Sequence, residues 1–281
     1  MERYSITPTM LEAFQQALTL EERSRTTVCK YMHGLRVFFA ALPPDGTITK
    51  EMLIARKEDL TQTCAVGTVN GMLTALNRFL TFHGLYDLRV KYLRRQRRIF
   101  ADKARELSRE EYLRLVRTAD RRGKQRLMLV LQTICSTGVR VSELEHITVQ
   151  AVCCGRAEVR CKGKTRVVFL PKKLQALLLR YIKEQRRTEG PVFVTRSGRP
   201  LDRSNIWHEM KALCRGAGVA EEKVFPHNLR HLFARVFYGM EKDIAKLADL
   251  LGHSSIETTR IYIMESGEEH LARMEKMHLL L

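Results

Sequence analysis

Apolar residues recur every three or four positions over most of this chain, the spacing of one buried helix face. Met10, Leu11, Phe14 and Leu18 follow Pro8, whose fixed φ suits the first turn of a helix. Val28, Tyr31, Met32, Leu35, Phe38 and Phe39 form a second stripe behind Ser24, a good N-cap residue. The run Pro43-Pro44-Asp45-Gly46 breaks it before a short helix opening at Thr49. A further stripe, Val69, Met72, Leu73, Leu76, Phe79 and Leu80, stops at Gly84. Residues 1–93 therefore predict a small all-helical domain.

The segment that follows carries Arg94, Arg95, Arg97 and Arg98 around a glutamine and has no apolar face. Residues 94–107 read as a basic linker, although charge alone fits a solvated helix surface equally well. Ser108-Arg109-Glu110-Glu111 then matches a capping box ahead of Tyr112, Leu115 and Val116, and helical pattern continues through Leu127–Thr137 to Gly138. The period next changes to two. Glu158–Cys161 and Arg166–Leu170 flank Lys162-Gly163-Lys164-Thr165, which predicts a β-hairpin closed by Pro171. Helical signals return at Leu174–Ile182, Ser204–Cys214, Asn228–Tyr238, Ile244–Leu251 and Ile256–Ile263. The expected fold is mainly α with a small β-hairpin in an α+β second domain, residues 108–281, whose tail from about residue 266 carries Leu271, Met274, Met277, Leu279 and Leu280.

Composition narrows what such a chain does. With 49 Lys and Arg against 31 Asp and Glu in 281 residues, the net charge is +18. Residues 89–126 hold fifteen basic and five acidic side chains, a net +10. Such charge points to a polyanion, because neutralising phosphates releases their counterions; plain solubility is the competing reading. The stretch Leu127–Leu131 ends at Gln132, far short of the roughly 20 apolar residues of a membrane span. The N-terminus shows no export signal, and seven cysteines, an odd number, suggest reduced thiols; a cytoplasmic, nucleoid-associated protein is expected.

Four short segments hold candidate chemistry, each weak alone. Arg140 and Glu143, at i, i+3, fit an ordinary surface ion pair as well as a site. Lys162 and Lys164 flank a turn glycine where lysines are commonly solvated. His227 and His231, at i, i+4, resemble half a zinc site, but Asn228 stands where a metalloprotease has its glutamate, so no metal is expected. Cys153-Cys154 lacks ligand spacing and reads as small core or strand residues. His227 and Arg230 share a helix face suited to gripping an anion. His253 and Tyr262 are nine residues apart and would face opposite ways on one helix; Gly252 and Ser254-Ser255 supply the break that lets them converge.

Taken in order, these segments resemble the tyrosine recombinase/integrase family, most closely its compact Xer-like, two-domain members. Gly138-Val139-Arg140-Val141-Ser142-Glu143-Leu144 looks like the family's first arginine box, and Cys161-Lys162-Gly163-Lys164 its lysine hairpin. His227-x-x-Arg230 matches its second box, Leu251-Gly252-His253 its third, and Tyr262 the nucleophile's spacing. The resemblance implies a site-specific recombinase that cuts and rejoins double-stranded DNA through a 3′-phosphotyrosine, with no metal, ATP or other cofactor. It implies Arg140 and Arg230 as a phosphate clamp, Lys162 as general acid (Lys164 being the other choice), His227 as proton-transfer partner, His253 as hydrogen-bond donor and Glu143 as orienting residue. It further implies a SAM-like core-binding domain that closes with the catalytic domain around DNA, with Arg94, Arg95, Arg97, Arg98 and Lys164 at the backbone, and a homotetramer on two sites exchanging C-terminal helices. For the tail, packing on its own domain is the alternative. Type IB topoisomerases use nearly the same residues, and a catalytically silent DNA-binding regulator on this scaffold is a third reading.

Overall fold

A computed structural model describes residues 3–40, 43, 45–94, 103–161, 164–264 and 267–277. Lys162, Arg95, Arg97 and Arg98 lie outside the described residues, as does the side chain of Lys164. The chain divides into two compact units, Met1–Arg97 and Arg98–Leu281.

In the first unit, a two-residue strand β1 (Tyr4–Ser5) precedes α1 (Pro8–Leu20) and α2 (Arg25–Phe39). Strand β2 (Thr47–Ile48), antiparallel to β1, leads into α3 (Lys50–Thr63) and α4 (Val66–Phe82). Pro8 occupies the first turn of α1, and the Thr7, Ser24 and Thr49 side chains cap α1, α2 and α3. Each cap gives a partner to a backbone N–H that the helix itself leaves unpaired. The stripes meet in one core that includes Phe14, Leu18, Leu35, Phe38, Leu73, Leu76 and Phe79. The β1–β2 pair had no signature in the sequence, being too short to show alternation.

Two asparagines on α4 fix where the chain leaves this unit. Asn77, buried, donates to the Val90 carbonyl at 2.8 Å and accepts from the Val90 N–H at 2.9 Å. Asn70 does the same for Leu93, at 2.9 Å in both directions. An asparagine used this way stands in for a neighbouring strand, satisfying the donor and the acceptor of one residue at once. Arg94, exposed, follows directly.

The second unit opens with α5 (Arg109–Arg121), whose Ser108–Glu111 capping box is formed as the sequence predicts, and α6 (Gln125–Thr137). After a 3₁₀ turn (Val141–His146) come α7 (Val149–Cys154) and the hairpin β3 (Arg156–Cys161) and β4 (Lys164–Phe169). Its register pairs Cys161 with Lys164 and Val159 with Arg166. Lys164 is thus a strand residue, because both strands run longer than their apolar alternation suggests. Then follow α8 (Lys172–Glu184), α9 (Arg203–Ala217), α10 (Pro226–Glu241), α11 (Ile244–Leu251), α12 (Ile256–Arg260) and α13 (Gly267–Glu275). A core including Leu131, Ile134, Val159, Val168, Leu178, Phe193, Leu213 and Leu229 joins most of them.

Two readings are corrected here. Cys153 and Cys154 are exposed at the C-terminal end of α7, not core or strand residues. Part of the basic run is also committed to folding. Arg114 donates to the Ala217 and Gly218 carbonyls and so caps the C-terminal end of α9, while Arg122 donates to the Ala212 carbonyl within that helix. Arg126 bonds the Val194 carbonyl at 2.8 Å and pairs with Glu209 at 2.6 Å. Cations near the last turn of a helix stabilise its exposed carbonyls, which is why this charge is kept. Among the described residues no helix is long and apolar enough to cross a membrane.

Candidate active site

The C-terminal end of α11 organises the site. Gly252 turns the chain in the left-handed region, φ 63°, leaving the carbonyls of Leu250, Leu251 and Gly252 without helical partners. Three arginines from three elements take them in sequence. Arg166, on β4, donates to Leu250 at 2.7 Å, and Arg230, on α10, to Leu251 at 2.6 Å. Arg140, ahead of the 3₁₀ turn, reaches Gly252 at 3.5 Å. The negative end of a helix dipole offsets part of the repulsion among the guanidiniums. A Cβ on Gly252 would sit 2.3 Å from Arg166 Cδ, so both the turn and this packing require glycine.

Glu143 is the carboxylate that completes the cluster, and it is 2% exposed. Its Oε1 accepts from Arg140 Nη1 at 2.8 Å; its Oε2 accepts from the Arg140 backbone N–H at 2.8 Å and Arg166 Nη2 at 2.6 Å. Burial pushes its pKa up, but the Arg140 hydrogen bonds and the charges of Arg166 and Arg140 outweigh it, and the carboxyl lies below its ordinary value. Arg230, 1% exposed, also bonds the Gly138 carbonyl. Its pKa falls to about 10, first through burial and then through repulsion from Arg140, with Tyr262 acting in the opposite sense. It remains a cation at neutral pH.

Tyr262 lies in the turn after α12, its N–H bonded to the Thr259 carbonyl at 2.9 Å, and is 5% exposed. Its ring is enclosed by histidines. His253 stacks on it with centroids 5.5 Å apart and 21° between planes, His231 is tilted against it at 4.2 Å, and His227 meets it edge-on at 5.7 Å. The break expected between His253 and Tyr262 is there: Gly252 ends α11, and Ser255 caps α12 by accepting from the Glu257 N–H at 3.2 Å.

His253 Nε2 accepts from Arg230 Nη2 at 3.0 Å, since a guanidinium only donates, and its Nδ1–H then donates to Thr259 Oγ1 at 2.8 Å. This neutral tautomer agrees with a pKa lowered to about 4 by burial and then by Arg230, Arg140 and Arg166. His231 falls to about 4 through burial, His227, Arg235 and Arg230. His227 is exposed, yet loss of hydration around its ring and repulsion from Arg230, Arg140 and Arg203 also favour its neutral form. All three histidines are therefore proton acceptors rather than cations at pH 7.

The structure thus brings together Arg140, Glu143, Arg230, His227, His253 and Tyr262, from four separate stretches of chain. The sequence reading left Arg166 and Thr259 out of this cluster and weighed His231 only as half of a zinc site. Arg166 had a signal, since it shares strand parity with the apolar Val168 and Leu170. His231 had another, lying one position beyond Arg230 on the face that carries His227. Thr259 had none. Among the described residues, no group of three or more His, Cys, Asp or Glu is placed to hold a metal.

The phage integrase family model matches residues 105–269, more than half the chain. Tyrosine recombinase XerA of Pyrococcus furiosus is 26% identical over 289 aligned residues, covering 100% of this chain and 98% of that protein. XerD of Xanthomonas campestris is 32% identical over 164 residues, 53% of this chain and 50% of XerD. Among solved structures, the XerA recombinase crystal structure matches with a TM-score of 0.54 at 26% identity, covering 97% of this chain and 98% of that one. A λ integrase (75–356) dimer bound to a COC′ core site shares the fold with a TM-score of 0.76 at 16% identity, covering 93% and 96%. With its arginine, histidine and tyrosine boxes folded into one cluster, this chain belongs to the phage integrase family and is a tyrosine recombinase.

Proposed function

We propose that this chain recombines double-stranded DNA at specific sites by two transesterifications at Tyr262. In the first, Tyr262 Oη attacks the scissile phosphorus, the P–O5′ bond breaks, and a 3′-phosphotyrosine forms. The released 5′-hydroxyl attacks in the second, on the same strand or on a partner. Bond energy is conserved in the covalent intermediate, so neither step needs ATP. His227, neutral and edge-on to the ring, takes the phenol proton, and Lys162 gives one to the departing 5′ oxygen. Arg140 and Arg230 hold the non-bridging oxygens, where fixed guanidiniums stabilise the charge of the transition state. His253 joins them as a donor once phosphate takes over the Arg230 N–H that its Nε2 now accepts and that nitrogen, beside the anion, takes up a proton.

The observation that carries this reading is one tyrosine ring packed among three histidines, on an arginine pair that shares a carboxylate-anchored helix end. Arg230 is 1% and Tyr262 5% exposed, so a phosphate reaches Arg230 only after side chains around it shift. Tyr262→Phe should bind DNA as wild type does but form no SDS-resistant adduct on a nicked suicide duplex. An adduct formed by that variant overturns the assignment.

Residues 1–93 serve as the core-binding domain and 94–107 as a linker laid along the backbone, with Arg94 and Lys164 at phosphates beside Arg95, Arg97 and Arg98. Assembly as a homotetramer on two sites is supported by Leu271, Met274 and Met277, which are 57%, 65% and 59% exposed and so keep apolar surface for a second copy. λ integrase, similar in fold, has been solved as a tetramer bound to a Holliday junction. Deleting residues 268–281 should abolish two-site synapsis while single-site binding persists; equal synapsis by the truncated chain speaks against the exchange.

A further inference from the structure

Arg166 is the charged side chain of the cluster to which the proposed chemistry gives no role, and its position suggests one. It is a strand residue on the apolar face of β4, its side chain 13% exposed. Burying a guanidinium there is costly unless each contact serves a purpose. It makes two, to Glu143 Oε2 at 2.6 Å and to the Leu250 carbonyl at 2.7 Å.

The effect on Arg140 follows from counting charge. Glu143 carries one negative charge and is almost fully buried, so that charge is compensated within the protein. If Arg140 were its sole partner, the pair would be nearly neutral and Arg140 would offer little to an incoming phosphate. With Arg166 on the second oxygen, the carboxylate is divided between two cations and the group of Arg140, Arg166 and Glu143 stays net positive. Arg140 is also the member that keeps solvent access, its side chain 32% exposed. The Leu250 contact adds a mechanical role. It holds the α11 terminus, whose next carbonyls receive Arg230 and Arg140 and whose next side chain is His253.

We propose that Arg166 is a positioning residue for strand cleavage: it neutralises Glu143 so that Arg140 keeps its charge for the scissile phosphate, and it fixes the turn that bears His253. This rests on the reading of Arg140 as a phosphate-binding group.

The test compares single-turnover cleavage of a suicide duplex bearing the normal phosphodiester with one bearing an uncharged methylphosphonate at the scissile position. Arg166→Met keeps a long apolar side chain and removes the charge. It should bind DNA near wild-type affinity but cleave the phosphodiester about 10- to 100-fold more slowly, the range that outer-shell partners of charged ligands show in metal sites. Its methylphosphonate rate should fall far less, because that substrate places less demand on the cationic clamp. Arg166→Lys, which retains charge and one donor, should recover part of the phosphodiester rate. It also carries the test if Arg166→Met does not fold, through its own shift in the ratio of the two rates. Arg140→Ala is the control. If Arg140→Ala shows no shift toward the methylphosphonate, the phosphate-clamp reading fails; if it shifts while the Arg166 variants lose both substrates equally, the proposal for Arg166 is overturned.

Discussion

The two units are built from the same material, amphipathic helices with Ser, Thr and Asp caps, yet they bury different things. Among the described residues, the first unit encloses one polar side chain, Asn77, whose amide is spent on both polar groups of Val90. The second encloses Glu143, Arg230, Asn228 and Thr259 besides three helix threonines. A neutral amide with matched partners costs little to bury, whereas a carboxylate and a guanidinium cost several kcal/mol before pairing. A fold that keeps such charges where apolar side chains would pack retains them for chemistry. The comparison also explains why the Asn77 contact is local and the Arg230 contacts join α10, Gly138 and the end of α11.

The largest expected effect separates the two arginines of the clamp. Arg140→Ala and Arg230→Ala should each slow cleavage by on the order of 10²–10³, the cost of removing one oxyanion-type donor. Arg230→Ala should in addition lower Tm, since the Gly138 and Leu251 carbonyls lose their donor, while the partly exposed Arg140 should cost less. Equal Tm for the two variants would remove the structural half of the distinction.

Next in size is a glycine comparison across the units. Gly252→Ala and Gly84→Ala both force alanine to positive φ, 63° and 74°, at about 1–2 kcal/mol. At Gly84 the added methyl meets open space, but at Gly252 it meets Arg166. Thermal melts should therefore show a larger loss for Gly252→Ala, accompanied by slowed cleavage that Gly84→Ala does not share.

The smallest effect is a pH dependence. His231 and His253 have pKa values of about 4 in the folded chain against roughly 6.5 unfolded. Between those values the unfolded chain binds protons that the folded chain does not, so stability is full above about pH 6.5 and declines as pH falls toward 4. His231→Phe, which keeps a ring against Tyr262, should show a shallower fall in Tm between pH 6.5 and 5 than wild type. An identical slope would show that His231 contributes nothing to it.

Much of this was legible in the sequence, and for identifiable reasons. Helices such as α4 and α11 announce themselves because a buried stripe at 3.6-residue spacing and its caps lie within one short window. Gly252 foretold the convergence of His253 and Tyr262 because a left-handed terminus has few other solutions. What stayed hidden depends on partners distant in sequence. Arg114 and Arg122 read as part of the net-basic stretch, and only the fold shows them bonded to carbonyls of α9 about a hundred residues away. Cys153 and Cys154 read as core because cysteine commonly is, yet the last turn of α7 leaves them outside. Arg166 showed only a wrong-face charge, whose meaning needed Glu143.

Tyr262, packed beside the arginine cluster of the second unit, is the proposed nucleophile. The most direct test is to trap the wild-type adduct on a nicked suicide duplex, digest protein and DNA, and locate the nucleotide by mass spectrometry. A single modified peptide is expected, with a 3′-linked phosphate on Tyr262. A nucleotide on any other residue, Tyr238 included, or a 5′ linkage, contradicts it.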